Sequence, residues 1–408
     1  MTTAVVTADL GFRPTDPAFI ADPYPVFASL RREHPVLRDP TTGQWLISRH
    51  ADVHRLLRDR RLGRTYGHVA SDAEFARTPA PAWHAPFHEL NDLGMLDLEP
   101  PDHTRLRRLV TFAFTPRTVN AMRDRIGAIV DALVDRALDV GEFDLIEDIA
   151  EPLPVTVIAE LLGIPEADRH LLRPWSNDIC LMYELEPSET SAKRAVAASM
   201  AFSAYLRELI GERRARPRDD LISELAAVVD DGDRLTEAEL VATCALLLNA
   251  GHEASVNGAG NGWWALFRHP EALADLRATP ALATTAVDEL LRFDTPLPLF
   301  ERWVLQDIEV GGVQIRRGEE VALLFGSANR DPDAWADPDR LDLRRAPNPH
   351  VAFGAGIHYC LGAPLARLEL QTAFATILRR MPRLELLEPP VWKSTFVLRG
   401  LVGMRVRC

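Results

Sequence analysis

Cys360 closes a glycine-spaced run, Phe353-Gly354-Ala355-Gly356-Ile357-His358-Tyr359-Cys360-Leu361-Gly362, that leads straight into an amphipathic helix. A thiol at a helix N-terminus feels the positive end of the helix dipole, which favours the thiolate. Three glycines let the backbone turn tightly, approach a flat ligand and aim amides at the sulfur. A thiolate held this way can be the axial ligand of haem iron, where it donates electron density that helps cleave O–O bonds. A lone cysteine is ordinarily an inert buried thiol. Here Phe353, Gly354 and Gly362 shift the reading to metal ligation.

A second group is Ala250-Gly251-His252-Glu253-Ala254-Ser255. The small Ala250 and Gly251 allow close approach of a flat ring, and a helix hydrogen bond lost there can be bridged by water. Plain packing against a neighbouring helix would use the same residues. Glu289 and Arg292 lie three apart and meet on one helical face. On a surface such a pair is worth less than about 1 kcal/mol. His103 and Arg107, four apart, also share a face, and such cations suit an anionic cofactor edge.

These groups need elements to hold them, and helical patterning dominates. Leu106, Leu109, Val110 and Phe114 line one face of a segment starting near Asp102. Ile126, Ile129, Val130, Leu133 and Leu138 line the next. A helix from about Glu151 to Leu162 stops at Gly163. Segments at about 167–183 and 190–213 follow. Thr236 and Glu239 form a capping box that opens the longest helix, which runs to about Phe267 and is apolar nearly all round. Thr279 and Pro280 read as the start of another, ending near Phe293. Alternating runs at 303–310, 313–315 and 321–325 predict strands, with Gly311-Gly312 as a hairpin turn. A Pro-rich meander fills 331–349, a helix follows from Leu361 to about Arg379, and strand-like pieces close the chain at 396–398 and 404–406. The result is mainly α with a minor β region.

The cysteine run fills every fixed position of the signature Phe-Gly-x-Gly-x-His/Arg-x-Cys-x-Gly, and from about Pro23 onward the chain resembles the cytochrome P-450 superfamily in its soluble bacterial form. The resemblance implies one domain over residues 1–408 with a long central helix over the haem. Its α-rich parts are expected at about 100–293 and 360–380, and its β-rich parts near 35–50, 303–325 and 383–408. Cys360 becomes the metal ligand of haem b. His103, Arg107, Arg302 and His358 become anchors for its propionates, with Phe353, Gly354, Gly362 and Ala250 against the ring. Glu289 and Arg292 become a scaffold pair locked by Arg340.

One motif departs from the family pattern Ala-Gly-x-Glu/Asp-Thr, in which the acid and the alcohol order the water that delivers protons. Glu253 keeps the acid beside Gly251, the alcohol position is Ala254, and His252 is a spacer. A methyl group cannot donate, accept or hold water. Three repairs are open: Ser255, which points about 100° further round the helix; Glu253 with a water chain; or a hydroxyl on the substrate. The last, jointly with Glu253, is the expectation.

The resemblance also places a substrate pocket at Leu96, Leu247, Leu297, Leu299, Phe300, Thr395 and Phe396. Their apolar character fits a polyketide or macrolide, terpenoid or steroid substrate, although such residues also build ordinary cores. The implied reaction is insertion of one oxygen atom of O₂ into a C–H bond or alkene. Oxidative radical coupling, and a silent haem-binding or recruiting module, are the competing readings. No flavin or nicotinamide domain fits in 408 residues, so electrons from NAD(P)H are expected through a ferredoxin and its reductase. Arg105, Arg108 and Arg117 are candidates to receive the ferredoxin.

Bulk properties narrow the setting. A net charge of -13 argues against nucleic acid or anionic membrane as partner. The first ten residues lack a basic stretch followed by an apolar run, and no span of about 20 apolar residues appears, so neither leader nor membrane anchor is expected. Cys180, Cys244, Cys360 and Cys408 are scattered, without disulfide spacing, which fits a reducing cytoplasm. A monomer is expected.

Overall fold

The central helix, Glu237–Arg268, is 32 residues long and reaches about 48 Å at 1.5 Å per residue. The structure, a computed structural model, describes residues 10–228 and 233–408. Nine of the first ten residues, read above as no leader, lie outside the described residues. The Thr236 hydroxyl accepts from the Glu239 amide at 3.2 Å, and the Glu239 carboxylate accepts from the Thr236 amide at 2.8 Å. That reciprocal cap starts the helix where its sequence predicts. Leu240, Cys244, Leu248, Val256 and Trp263 are all buried, so the helix is enclosed on every side. It packs on helices Pro152–Leu162, Leu172–Cys180, Glu189–Ala215, Ala283–Phe293 and Ala363–Arg380.

His252 is no spacer. Its ring is fully buried against Leu172–Cys180, with Nδ1 3.1 Å from the Ser176 hydroxyl. Burial pulls its pKa down to about 4.

A five-stranded sheet lies to one side, in the order Val36–Arg38, Trp45–Ile47, Glu320–Leu323, Phe300–Val304, Leu62–Gly63. Only the contact between Trp45–Ile47 and Glu320–Leu323 is parallel. Ile308–Val310 and Val313–Ile315 pair as the expected hairpin, with Gly311 (φ +56) and Gly312 (φ +79) in its turn. A third sheet joins Glu142–Asp144, Arg405–Arg407 and Glu385–Leu386.

Three expectations fail locally. Residues 396–398 form no strand, because their amides go to one carboxylate: Glu184 accepts from Phe396 (2.8 Å), Val397 (3.0 Å) and Leu398 (3.1 Å). The Thr279 side chain caps nothing; Pro280–Leu282 is a separate 3₁₀ turn before helix Ala283–Phe293. Arg340 does not lock the Glu289–Arg292 pair, since only its carbonyl takes part. The third side chain is Arg345, whose Nε lies 3.2 Å from both Glu289 oxygens.

That pair is buried completely, with both side chains at 0% exposure. Arg292 binds Glu289 in fork geometry at 2.7 and 2.8 Å and donates to the Asn329 and Pro338 carbonyls at 2.8 Å. Glu289 also accepts from the Asp342 amide and the Asn348 side chain. Apart from the Arg292 Nε, which binds Glu289 itself, every polar atom of the pair is thus met by the meander 329–348, which has little regular structure of its own.

Truncating one member of such a pair strands a buried charge. Glu289→Ala is expected to lower stability by roughly 3–5 kcal/mol. Arg340→Ala should stay within about 0.5 kcal/mol, while Arg345→Ala should cost about 1–3 kcal/mol. Denaturant unfolding of the three variants separates them. For His252 the unfolded side chain binds a proton more readily than the folded one, so stability falls as pH drops from about 6.5 to 4, by roughly 3 kcal/mol. His252→Gln should flatten that acid limb in melting curves taken against pH.

Candidate active site

The loop before helix Ala363–Arg380 sets the sulfur. Gly354 (φ +68) and Gly356 (φ +72) adopt left-handed backbone that side chains strain to reach, and a side chain at Gly356 would overlap the Leu57 carbonyl. The Cys360 amide then closes on the Phe353 carbonyl at 2.9 Å. The Cys360 sulfur accepts from the amides of Gly362 and Ala363, where the helix begins. Burial pushes the thiol up, and those amides together with Arg107 and Arg367 pull the other way. Gly362 faces open space, with no atom within 4 Å of where a side chain would start.

Cys360 opens onto a cavity of about 400 Å³ whose floor is Phe353, Gly354, Leu361 and Gly362. Its roof is the central helix, through Leu246, Leu247, Ala250, Gly251, Ala254 and Ser255. Gly251 has only Ile158 near the position of a side chain, at 3.8 Å, so the roof there is bare backbone. Flat ligands fit between such a floor and roof.

The cavity edge carries basic groups that could hold an anion. Arg302 is 4% exposed, yet its guanidinium donates to its neighbour's carbonyl, Glu301, at 2.7 Å. Burial pulls it down to about 9, with Arg64 adding repulsion. His358 lies 3.4 Å from Glu99. His103 does not line the cavity but stands behind His358, ring centroids 4.4 Å apart, with both ring nitrogens buried and unpartnered. Burial and then His358 take its pKa to about 4. Arg107 lines the cavity and donates to the Tyr359 carbonyl at 2.6 Å. Crowded guanidinium groups beside a thiol, with orphaned imidazole nitrogens behind the cavity edge, suit a flat cofactor carrying carboxylates. Haem meets that description.

Leu96, Leu247, Leu297, Leu299 and Phe300 line the cavity as expected positions. Thr395 and Phe396 do not. Phe396 packs into another core against Phe12 and Phe19, at 6.0 and 5.1 Å, and Val397 and Leu398 face the cavity instead. Glu253 is also off the wall: its carboxylate turns aside to Lys393, at 3.0 Å. Arg105 and Arg108 are engaged with Glu239 and Asp233, whereas Arg117 is exposed.

Sequence reading missed three polar groups here. Arg64 lies 4.3 Å over the Phe300 ring and pairs with Asp97 at 3.1 Å. Glu369 lines the cavity and burial pushes it up to about 8. Lys393 reaches Glu253 from 140 residues away along the chain. No local spacing marks any of them. The charge of Arg64 and Glu301 also makes this wall less uniformly apolar than its sequence suggests.

Among the described residues no helix is long and apolar enough to cross a membrane. The family model described as Cytochrome P450 matches residues 280–388. Cytochrome P450 107B1 of Saccharopolyspora erythraea is 42% identical over 100% of this chain and 99% of its own length. The 6-deoxyerythronolide B hydroxylase of the same organism is 37% identical, covering 96% of this chain and 97% of that protein. Among solved structures, the Bacillus subtilis 168 bacillaene polyketide synthase cytochrome P450 PksS superposes with a TM-score of 0.88 at 37% identity, over 97% of this chain and 99% of that one. Relatives this similar along nearly the whole length, and a thiol loop and cavity of the matching form, mean that the chain belongs to the cytochrome P450 superfamily, as an oxygenase of the bacterial type.

Proposed function

We propose that this enzyme inserts one oxygen atom of O₂ into a C–H bond or alkene of a largely apolar natural product of the polyketide or macrolactone class. The two relatives named for such compounds and the aliphatic cavity wall support the substrate class. Haem b, when bound, supplies the activation of O₂ that consumes two electrons and two protons. In this reading Cys360 is its ligand, and Arg302, Arg107 and His358 hold its propionates with His103 behind them. Ala250 and Gly251 leave room above it. Leu96, Leu247, Leu297, Leu299 and Phe300 exclude water and orient the substrate.

The observation that carries the reading further is the pairing of Ala254 on the wall with Glu253 turned off it. Ser255 is the neighbouring hydroxyl on that stretch of roof, one residue on. Proton delivery is therefore assigned to Glu253 together with a hydroxyl carried by the substrate. Electrons come from NAD(P)H through a ferredoxin and its reductase, in the cytoplasm.

With 6-deoxyerythronolide B as probe, hydrogen peroxide released per NADPH consumed should be about tenfold lower than with an analogue stripped of its hydroxyls. Ala254→Thr should help the stripped analogue more than the parent. Equal release with both compounds discards the hydroxyl's role. A product one oxygen atom heavier supports insertion, whereas loss of two hydrogens marks coupling. Cys360→His should replace the thiolate-type absorption of the reduced, carbon monoxide-treated protein by a histidine-type band; an unchanged band would remove Cys360 from the iron.

A further inference from the structure

Asn249 lines the cavity from the central helix, one residue before Ala250, and is 2% exposed. Neither the oxygen nor the nitrogen of its side chain completes a hydrogen bond. A carboxamide shut away from water without partners is destabilising, and leucine would fill the same space without that penalty. Tyr183 lines the cavity beside it, at the end of the 3₁₀ turn Leu181–Tyr183. Its hydroxyl donates to the Asn91 side-chain oxygen at 3.2 Å. Asn91 is held in turn by its own bond to the Phe87 carbonyl, at 2.7 Å. Burial pushes the Tyr183 hydroxyl well above its usual range, so it keeps its hydrogen and points it at Asn91. Asn249 lies near enough to favour charge on the Tyr183 oxygen, but short of hydrogen-bond geometry. Arg64 and Asp97, which also act on Tyr183, answer each other at 3.1 Å.

What this corner lacks is a donor. The Tyr183 oxygen has lone pairs left and no hydrogen to offer, and the Asn249 oxygen has no partner at all. The wall residues next to them along the chain, Met182, Leu246 and Leu247, are apolar. We propose that Asn249, with Tyr183 beside it, recognises a hydrogen-bond donor on the substrate, which in the macrolactone class is a hydroxyl. The inference deepens the reading above and rests on this cavity being the substrate site. The substrate hydroxyl gives its hydrogen to the Asn249 oxygen, while the carboxamide nitrogen closes on the Tyr183 oxygen. A ketone or ether in the same place brings no hydrogen and leaves the Asn249 oxygen stranded. Ala254 lies five residues, about 7.5 Å of helix, further on. The hydroxyl read by Asn249 is therefore a separate group from one beside Ala254, and its work is to orient the substrate.

Cyclododecanol, cyclododecanone and cyclododecane share one ring size; the first donates and accepts, the second only accepts, and the third does neither. Their dissociation constants for the holoprotein are measured by equilibrium dialysis, and the change in haem absorption places them in the cavity. The alcohol should bind about tenfold tighter than the ketone. In Asn249→Leu the alcohol should weaken about tenfold and lose that lead, while cyclododecane binds at least as tightly as before. Asn249→Ala gives the same comparison if the leucine variant does not load haem. Equal constants for alcohol and ketone in the wild type, or a lead for the alcohol that persists in both variants, overturn the inference and leave the substrate site standing. If none of the three compounds binds, the cavity is no substrate site and both readings fall together.

Discussion

The buried ion pair of Glu289 and Arg292 is the constraint on which the thiol site depends. Two charges taken out of water cost several kcal/mol each unless all their hydrogen-bonding capacity is met. Here the meander meets it, and the connection runs on. Asn329, whose carbonyl accepts from Arg292, accepts through its side chain from the Val351 amide at 2.8 Å. Val351 in turn accepts from Gly354 at 2.8 Å. An unbroken line of direct bonds therefore runs from the pair to the loop that carries Cys360. An irregular segment can hold a sulfur in place because the charges it surrounds tolerate no looser arrangement.

The same device recurs elsewhere in the fold. Arg213 is completely buried against Asp220 beside the helix end at Gly163. Arg399 binds Asp294 and the carbonyls of Ile20 and Ala21, tying the C-terminal loop to the first helix. Arg330 lies 3.7 and 3.8 Å from the Tyr24 and Phe293 rings. Planar guanidinium groups meet several acceptors in a fixed fork and lie flat on aromatic faces, a geometry that a lysine ammonium lacks. The fold is thus joined at depth by arginine forks, while its lysines stay near water.

What the sequence made legible was local. Glycine spacing fixes the cysteine loop because each positive φ needs its own residue, and the cap at Thr236 depends on two residues three apart. The cluster of basic groups at and behind the cavity edge was legible only through the resemblance, since His103, Arg302 and His358 are far apart in the chain. Arg345 could not be told from Arg340 without knowing the path of the meander. The strand expected at 396–398 failed because Glu184, on a distant helix end, takes its amides. Lys393 stayed hidden for the same reason: a side-chain pairing across 140 residues leaves no periodic trace.

The clamp exerted by Glu184 separates shape from chemistry in the C-terminal turn. Three successive backbone amides tied to one carboxylate, together with Phe396 buried against Phe12 and Phe19, fix the path of that turn. In the substrate reading proposed above, Val397 and Leu398 set the shape of this edge of the cavity, while Glu184 sets the course of the main chain behind them.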